Sequence, residues 1–508
     1  MVRYTLTHDT AISVSWRRVR LINLRVNEEV RARNIQRCKE KGILLPTFAQ
    51  MADPSTVPAS IKEKLKHTGL WDVDPLNLFR ITWKNEPTKD GGTFTGVNYI
   101  EVPRELTGVK ARIICLVGKW FPTGAHKVGA TYGCLAPALV SGNFDSVNQQ
   151  AVWPSTGNYC RGGAYNAALL GCQSIAILPA EMSKERFDWL KKIAGEVIST
   201  PGGESNVKEI FDKCHELDKE RGHHIVIFNQ FEEFGNYLWH YKITGGAIME
   251  IADELEHIDP ARVRGLVSAT GSGGTIAAGD LLKLHYPNVK IAAVEALQCP
   301  TLLRNGFGAH RIEGIGDKHV PWVHNVKNTD MIIAIDDQDC MDTLRLFNEP
   351  VGIEYLRKIG VSEEDIANLP LYGISGLGNL LASIKMAKYY EMEEDDVIFT
   401  LLTDSEEMYT SRVTEQAEIQ GEFDELAAAR ALAGCLHHQA IDGVLELTYY
   451  ERLRIHNLKY YTWVEQQGRT YEELNAQWYD RDYWTSIPPL ADEIDRLIEA
   501  FNAEVLAP

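Results

Sequence analysis

The sequence lacks the features of two large functional classes. It contains no apolar run near the roughly 18 residues that a membrane-spanning helix requires, and its first residues, Met-Val-Arg-Tyr-Thr-Leu-Thr-His-Asp, contain no apolar signal region. Positive charge is also scarce, because 52 Lys and Arg face 70 Asp and Glu and give a formal net charge of −18. Since nucleic acids and acidic membranes are bound by clustered Lys and Arg, we expect no nucleic acid and no membrane as a partner. We interpret the protein as soluble and cytoplasmic.

Cysteine pairs with the spacing of a metal or redox site are also absent. The cysteines are odd in number and scattered, at positions 38, 115, 134, 160, 172, 214, 299, 340 and 435, and none forms a Cys-x-x-Cys pair. This pattern indicates neither a disulfide framework nor a zinc site, and it fits a reducing compartment. His437 and His438 are adjacent, so their side chains diverge on a helix, and no third ligand is evident. We therefore predict no metal site.

Apolar residues make up 44% of the 508 residues, which is enough for two or three folded units. From about residue 76, short β-branched runs alternate with helical segments, as in a parallel sheet whose strands are buried on both faces. The fold class predicted is α/β with a doubly wound core. The predicted strands cover residues 111–117, the region of Val152, 174–178, 224–228, 265–269, 289–294, 331–335 and 397–402.

Two segments outside this pattern carry no motif. Residues 1–75 mix charged helical stretches with prolines, and we interpret them as a partly helical N-terminal arm that wraps the body or a partner subunit. Residues 411–508 have 18 Asp and Glu against 8 Lys and Arg, with helices predicted at 427–433, 441–456 and 491–505. Their aromatic cluster comprises Tyr460, Tyr461, Trp463, Tyr471, Trp478, Tyr479, Tyr483 and Trp484. This extension packs against the body or across a dimer; the alternative is a module that docks a partner or gates substrate.

One lysine, Lys127, follows a Pro-Thr-Gly turn and begins a run of small residues. A lysine held at the start of such a helix can form a Schiff base once it loses its charge. Most lysines are solvated surface charges, so the segment 121–129 by itself leaves both interpretations open.

A hydroxyl-rich turn at residues 154–158, Pro-Ser-Thr-Gly-Asn, lies between a predicted strand and a helix of small residues. A helix N-terminus in this setting presents backbone N–H groups and side-chain donors to an anion, such as a substrate carboxylate. An N-capped helix without a ligand is the alternative.

A glycine loop follows the strand that ends near residue 269. Its backbone and hydroxyls can cradle a phosphate at the positive end of the next helix. It is not a Walker loop, because Gly-Lys-[Ser/Thr] is absent, and it is not a dinucleotide fingerprint, because Ile276 stands where the third glycine should be. A phosphate monoester without a nucleotide fits best, with a structural turn as the alternative. The loop residues are Gly271, Ser272, Gly273, Gly274 and Thr275.

These motifs together resemble those of the fold type II pyridoxal-phosphate enzymes, the group of cysteine synthase, cystathionine β-synthase and the tryptophan synthase β-subunit. Residues 121–127 resemble that family's Pro-Thr-Gly-Ser-x-Lys motif, spelled here as in the tryptophan synthase β-subunit, and Asn158 follows 31 residues after Lys127. Further similar landmarks are Met182–Arg186, Asn229–Phe231, Gly314–Gly316 and Gly373–Gly376. The resemblance covers roughly residues 76–410. It implies two doubly wound parallel-sheet domains of the tryptophan synthase β-like type, the smaller at roughly 120–235.

The resemblance implies pyridoxal 5′-phosphate as the cofactor and a role for each motif residue. Lys127 would form the internal aldimine and remove the Cα proton, and Asn158 would bond the cofactor's 3′ oxygen. The loop at Gly271–Thr275 would hold the phosphate. The substrate carboxylate would be bound by Ser155, Thr156 and Gly157.

The resemblance also implies that Ser405, just after the last predicted strand, faces the pyridine nitrogen. A serine does not hold this nitrogen protonated, so transamination and racemisation are disfavoured and loss of a β-substituent is favoured. Arg161 lies where cysteine synthases commonly have Thr-Gly, and it is a candidate contact for an anionic substrate or product; a solvated or ion-paired arginine is the alternative. Cys160 is interpreted as a buried small thiol rather than a redox group.

We therefore expect a pyridoxal-phosphate-dependent lyase or β-replacing transferase that acts on a β-substituted amino acid through an aminoacrylate. Whether elimination or replacement follows is left open. One alternative is threonine synthase or dehydratase chemistry on a hydroxy amino acid, and a second is a non-catalytic scaffold that binds a protein partner. The expected partners are a small-molecule amino acid and further copies of the chain, in a homodimer or a higher homo-oligomer.

Overall fold

The computed structural model describes residues 21–255 and 258–508. The N-terminal stretch that we examined for a signal region, and the first part of the predicted arm, lie outside these residues.

The strands of the described residues form two sheets. They are β1 (Tyr99–Glu101), β2 (Arg112–Val117), β3 (Gln150–Pro154), β4 (Gln173–Pro179), β5 (Glu196–Thr200), β6 (Ile225–Ile227), β7 (Val263–Ala269), β8 (Lys290–Ala296), β9 (Met331–Ile335), β10 (Val397–Leu402) and β11 (Val444–Glu446). The sequence predicted β2, β3, β4 and β6 to β10, and it missed β1, β5 and β11.

The α-helices connect and cover these sheets. They are α1 (Glu28–Lys41), α2 (Phe48–Ala52), α3 (Ala59–Leu65), α4 (Arg104–Thr107), α5 (Lys127–Ser141), α6 (Asn158–Leu169), α7 (Lys184–Ile193), α8 (Val207–Arg221), α9 (Phe234–Trp239), α10 (Gly245–Glu254), α11 (Ala278–His285), α12 (Thr301–Arg304), α13 (Asp337–Asn348), α14 (Pro350–Lys358), α15 (Glu363–Asn368), α16 (Ile374–Tyr389), α17 (Thr410–Gln420), α18 (Glu425–Ala431), α19 (Tyr449–Lys459), α20 (Tyr471–Tyr479) and α21 (Leu490–Leu506). Within the described ranges, none of them has the length and apolarity needed to cross a bilayer.

The larger sheet has the order β1-β2-β10-β7-β8-β9-β11. Its five central strands are parallel, and the two short edge strands are antiparallel to their neighbours. The β2 sequence Arg-Ile-Ile-Cys-Leu-Val is apolar at consecutive positions because its two faces enter different cores. Ile114 and Leu116 belong to one core, and Ile113 and Cys115 belong to the other. Burial on both faces is typical of a doubly wound parallel sheet.

The smaller sheet has the order β5-β4-β3-β6, and all its strands are parallel. Its strands span residues 150–227, between the β2 and β7 strands of the larger sheet. Two parallel sheets with covering helices confirm the predicted fold class. The domain boundaries near residues 75, 120, 235 and 410 stay predictions.

The C-terminal extension is built into this fold. The helix predicted at 441–456 is wrong in its first half, because residues 444–446 form β11 and pair with the edge strand β9. α19 begins only after Thr448, whose side chain caps it by accepting the N–H of Glu451. α21 packs against both α1 and α5, so both ends of the described chain cover the helix that begins at Lys127.

Candidate active site

A pocket lies where the carboxyl ends of strands from both sheets meet. The residues that follow β3, β7 and β10 all reach it, as expected for ligand sites in open parallel sheets. Its lining includes His126, Lys127, Ser155, Thr156, Asn158, Glu204, Gln230, Gly271, Ser272, Gly273, Thr275, Asp317, Ser375 and Thr403.

Lys127 is the first residue of α5 and points its amine into this pocket. Its Nζ donates to Ser272 Oγ at 2.8 Å and lies 3.5 Å from Gln230 Oε1. Burial disfavours the charged form and lowers the pKa of Lys127 to about 8. The amine is therefore available in its neutral, nucleophilic form near physiological pH.

The turn before Lys127 is held by Arg161. Thr123 has a φ of 71°, an uncommon left-handed conformation for a β-branched residue. Arg161 donates to the Thr123 carbonyl at 2.9 Å and to Asn158 Oδ1 at 3.3 Å, and its guanidinium lies 4.8 Å from the centre of the Trp189 ring. Burial lowers the pKa of Arg161 to about 10.

Arg161 was predicted as a candidate contact for an anionic substrate, with a solvated or ion-paired arginine as the alternative. Arg161 is buried and is not among the residues that line the pocket, and its two terminal nitrogens donate to groups of the chain itself. Arg161 therefore positions Asn158 and the turn that precedes Lys127.

The loop predicted to bind a substrate carboxylate reaches the pocket with two of its three residues. Ser155 and Thr156 line it, whereas Gly157 does not. Gly157 donates its N–H to Ser155 Oγ at 3.0 Å, and a Cβ at Gly157 would lie 2.2 Å from an Arg186 nitrogen. This glycine is therefore required by packing behind the loop. Asn158 also lines the pocket, oriented by donation of its Nδ2 to Asp404 Oδ2 at 2.6 Å.

The glycine loop after β7 forms the opposite side of the pocket. Gly271, Ser272, Gly273 and Thr275 line it, and Gly274 lies behind them, where a Cβ would be 2.0 Å from Asn236 Oδ1. Within the described chain, no acceptor is bonded to the backbone N–H groups of Gly271, Ser272, Gly273 and Gly274. Clustered free N–H groups in front of a helix start form an anion-binding cradle.

Ser405, predicted to face the ring nitrogen, is not among the residues that line the pocket. β10 ends at Leu402, so Thr403 is the residue that reaches the pocket, and Ser405 is buried past it at the start of the turn at 406–408. Ser375 lines the pocket beside Thr403, and their hydroxyl oxygens lie 2.7 Å apart. The Gly373–Gly376 landmark contained this serine, but the sequence assigned it no role.

Two buried carboxyls of the pocket were missed by the sequence analysis. Glu204 lies in the loop between β5 and α8, and Asp317 directly follows the Gly314–Gly316 landmark. Burial raises the pKa of Glu204 to about 8 and that of Asp317 to about 7. The glycine landmark was a signal for Asp317, whereas nothing in the sequence pattern marks Glu204.

A buried network fixes these loops relative to each other. Arg186 lies 2.9 Å from Glu313 and donates to the Thr156 carbonyl and to Tyr409 Oη, each at 3.0 Å. Tyr409 in turn donates to Asp404 Oδ2 at 2.6 Å. Thus one guanidinium connects the loop after β3 with the segment after β10, and the site is held in place by groups that do not line it.

The cysteines and the adjacent histidines His437 and His438 do not line this pocket. All nine cysteines are free and buried, and burial raises the pKa of Cys160 to about 12. His437 Nε2 donates to the Glu105 carbonyl, 2.7 Å away. Across residues 21–255 and 258–508, no group of three or more His, Cys, Asp or Glu is arranged to hold a metal ion.

The pocket fits pyridoxal phosphate on features of the chain itself. Lys127 supplies a buried amine with a lowered pKa, and the glycine loop supplies unpaired N–H donors for a phosphate.

Residues 107–354 match the protein family described as pyridoxal-phosphate dependent enzyme. A probable cysteine synthase of Bacillus subtilis is 30% identical over 291 residues, which are 57% of this chain and 85% of that protein. The chain belongs to the pyridoxal-phosphate-dependent enzymes.

Other members of the enzyme family are similar over the same region. A cysteine synthase of Staphylococcus aureus strain Mu50 is 29% identical over 261 residues, 51% of this enzyme and 75% of the relative. The crystal structure of a hydrogen sulfide-producing enzyme from Fusobacterium nucleatum superimposes with a TM-score of 0.52 at 25% identity, covering 61% of this enzyme and 95% of that chain. The fold is that of the fold type II pyridoxal-phosphate enzymes.

Proposed function

We propose that this enzyme catalyses β-replacement or β-elimination on a β-substituted amino acid. The observation that carries the proposal is the convergence of Lys127, the hydroxyls of Ser155 and Thr156, and the glycine loop on one pocket. The choice of β-chemistry is supported by the relatives, which are named cysteine synthases. Because the family is one of enzymes, the non-catalytic scaffold is not retained.

Bound pyridoxal phosphate would draw electrons from the Cα of an amino acid. Lys127 would hold the cofactor and accept the Cα proton at Nζ, which its lowered pKa permits. Ser155 and Thr156 would orient the substrate carboxylate, and Asn158, fixed by Asp404, would contact the cofactor's 3′ oxygen. Gly271, Ser272, Gly273, Gly274 and Thr275 would hold the phosphate.

We assign the contact to the pyridine nitrogen to Ser375, with Thr403 as its hydrogen-bond partner. Both hydroxyls line the pocket, unlike that of Ser405. A hydroxyl leaves the ring a weaker electron sink than a carboxylate does, which supports β-chemistry over transamination.

The experiment is a screen of β-substituted amino acids against the holoenzyme, with the cofactor absorbance followed and products identified by mass. We expect pyruvate and ammonia, or a new amino acid when a nucleophile is added. Lys127→Ala should abolish the visible absorbance of the bound cofactor and turnover, whereas Lys358→Ala, at an exposed ion pair with Glu425, should keep both. Exclusive racemisation or transamination would contradict the proposal.

A further inference from the structure

We infer that Glu204 and Asp317 form a subsite for the β-substituent of the substrate, one that prefers hydrogen-bond donors and cations, such as an amine, over anionic esters. The inference rests on the proposed function, because it concerns the part of an amino acid that extends beyond Cα.

The first observation is that both carboxyls are buried without a full set of partners. Asp317 is 6% exposed, its side chain accepts no hydrogen bond from the described residues, and its Oδ2 is fully enclosed. Glu204 is 3% exposed, accepts the Thr156 hydroxyl with Oε1, and has no hydrogen-bond donor at Oε2. Buried acceptors without donors are costly, so they are retained where a ligand supplies the donor.

The second observation is where these carboxyls lie. Both line the pocket that contains Lys127 and Thr156. A substrate whose carboxylate is held at Ser155 and Thr156, and whose Cα is within reach of Lys127, extends its β-carbon only one bond further. The hydrogen bond from Thr156 places Glu204 directly beside the carboxylate loop.

The third observation is the charge of the lining. Lys127 is the only lysine or arginine among the described residues that line the pocket. The nearby Arg186 is occupied by Glu313, and its closest approach to Glu204 is 3.9 Å. A phosphate or sulfate ester on the β-carbon would therefore face two carboxyls without a compensating guanidinium.

The titration of the two carboxyls agrees with this choice of ligand. Burial raises both pKa values towards neutrality. Lys127 lowers the pKa of Asp317, and Arg186 and the Thr156 hydroxyl lower that of Glu204, which Glu313 and Asp317 raise. An ammonium group would favour their ionised forms, and a neutral donor can be bound by either form. His126 and Tyr159, the other titratable lining residues, are neutral, since burial lowers the pKa of His126 to about 3 and raises that of Tyr159.

The test is a spectral titration of the holoenzyme with L-2,3-diaminopropionate, O-acetyl-L-serine and O-phospho-L-serine. In the wild type we expect the amine to bind at least about tenfold tighter than the phosphate ester. Asp317→Asn and Glu204→Gln should each lower the affinity for the amine, relative to that for O-acetyl-L-serine, about tenfold. Cofactor content and circular dichroism check that each variant is folded and loaded.

The matched control is Glu295→Gln. Glu295 is also buried, with a pKa raised to about 7, but it accepts the N–H groups of Leu302 and Leu303 away from the pocket. This variant should keep the wild-type ratio of affinities. Equal affinity for amine and phosphate ester in the wild type, or an unchanged ratio in both pocket variants, would overturn the inference. If no amino acid changes the cofactor spectrum, the proposed function fails and the subsite fails with it.

Discussion

Lys127 shows how the charge of one side chain is set by its surroundings. Burial lowers its pKa to about 8, and the Asp317 carboxylate is the largest opposing influence. At the helix start the amine also donates to Ser272, a residue of the glycine loop, so the two parts of the proposed cofactor site are in direct contact.

The rate at which the apoenzyme captures added pyridoxal phosphate should follow this pKa. Only the neutral amine attacks a carbonyl, so the rate should rise with pH and level off above about 8, not above the ordinary lysine value of 10.5. Asp317→Asn removes a group that raises the pKa of Lys127, so the midpoint should move to lower pH. Stopped-flow absorbance measures both; a midpoint near that of free lysine would contradict the assignment.

The two candidate serines should behave differently. Ser375→Ala should change the visible spectrum of the bound cofactor and lower turnover at least about tenfold, because its hydroxyl lines the pocket. Ser405→Ala should leave the spectrum unchanged, because Ser405 lies past the lining residue Thr403. The reverse result would restore Ser405 to the site.

Individual site residues were predictable to the extent that they stood within a motif. The lysine turn, Ser155, Thr156, Asn158 and the glycine loop could be identified because each is contiguous and follows a strand. Ser375 and Thr403 are 28 positions apart and meet only because α16 starts beside the end of β10. Glu204 stands in a loop of ordinary composition, so only the fold reveals that its carboxyl enters the pocket.

At the scale of elements, the C-terminal extension supports the glycine loop from behind. Lys459 of α19 is fully buried, and its Nζ donates to the carbonyls of Trp322 and His324 at 2.9 and 2.8 Å and to Gln477 Oε1 at 2.7 Å. The segment that it holds packs under the loop, since a Cβ at Gly273 would lie 3.1 Å from His324 Cβ. Of the aromatic cluster, Trp463, Trp478, Tyr483 and Trp484 are buried.

Lys459→Met should weaken cofactor binding without touching the pocket. It removes three hydrogen bonds and leaves buried carbonyls unpaired, at about 1–3 kcal/mol for each group. We expect at least a tenfold rise in the dissociation constant of pyridoxal phosphate, together with a lower melting temperature. Lys358→Met, at an exposed position in α14, is the control and should change neither. Unchanged cofactor affinity in Lys459→Met would show that the extension only covers the core.

The secondary-structure elements differed in how strongly the sequence pattern predicted them. Central strands were predictable because burial on both faces requires continuous apolar runs. β11 was not predictable, because its three residues, Val-Leu-Glu, lie beside a helical pattern and show no sequence pattern of a strand. Only their pairing with β9 in the structure identifies them as one. β5, with the sequence Glu-Val-Ile-Ser-Thr, lies at the edge of its sheet and is only partly buried.

At the scale of the molecule, Arg186 joins the two sheets through the buried network. It approaches Glu204 and the Thr156 carbonyl from the smaller sheet, and Glu313 and Tyr409 from the larger part of the fold. Arg186 and Glu313 are both buried, so the cost of desolvation offsets much of the attraction between them, and the intact pair adds little net stability. Removing one partner is nevertheless costly, because it leaves the other charge buried and unpaired.

Arg186→Met should therefore lower the free energy of unfolding by about 3–5 kcal/mol, because it leaves Glu313 buried beside fewer cations. Arg186→Met combined with Glu313→Gln should recover part of this loss. Urea unfolding measures both, with Arg357→Met at an exposed pair as the control. A single variant as stable as the wild type would show that the network does not hold the two parts together.

The assembly and the location of the enzyme stay predictions. Sedimentation would measure the expected homodimer or higher homo-oligomer. Several tyrosines of the extension remain exposed in the single chain, namely Tyr449, Tyr450, Tyr461, Tyr471 and Tyr479.

The burial of all nine thiols has a practical consequence for such measurements. A maleimide dye needs an accessible thiolate, and burial raises the pKa of thiols such as Cys38, Cys115 and Cys214 while hiding them from reagents. The native enzyme should thus remain unlabelled while folded. A cysteine introduced in place of Tyr450, which is 79% exposed, would carry a single fluorophore on the extension without any native cysteine having to be removed.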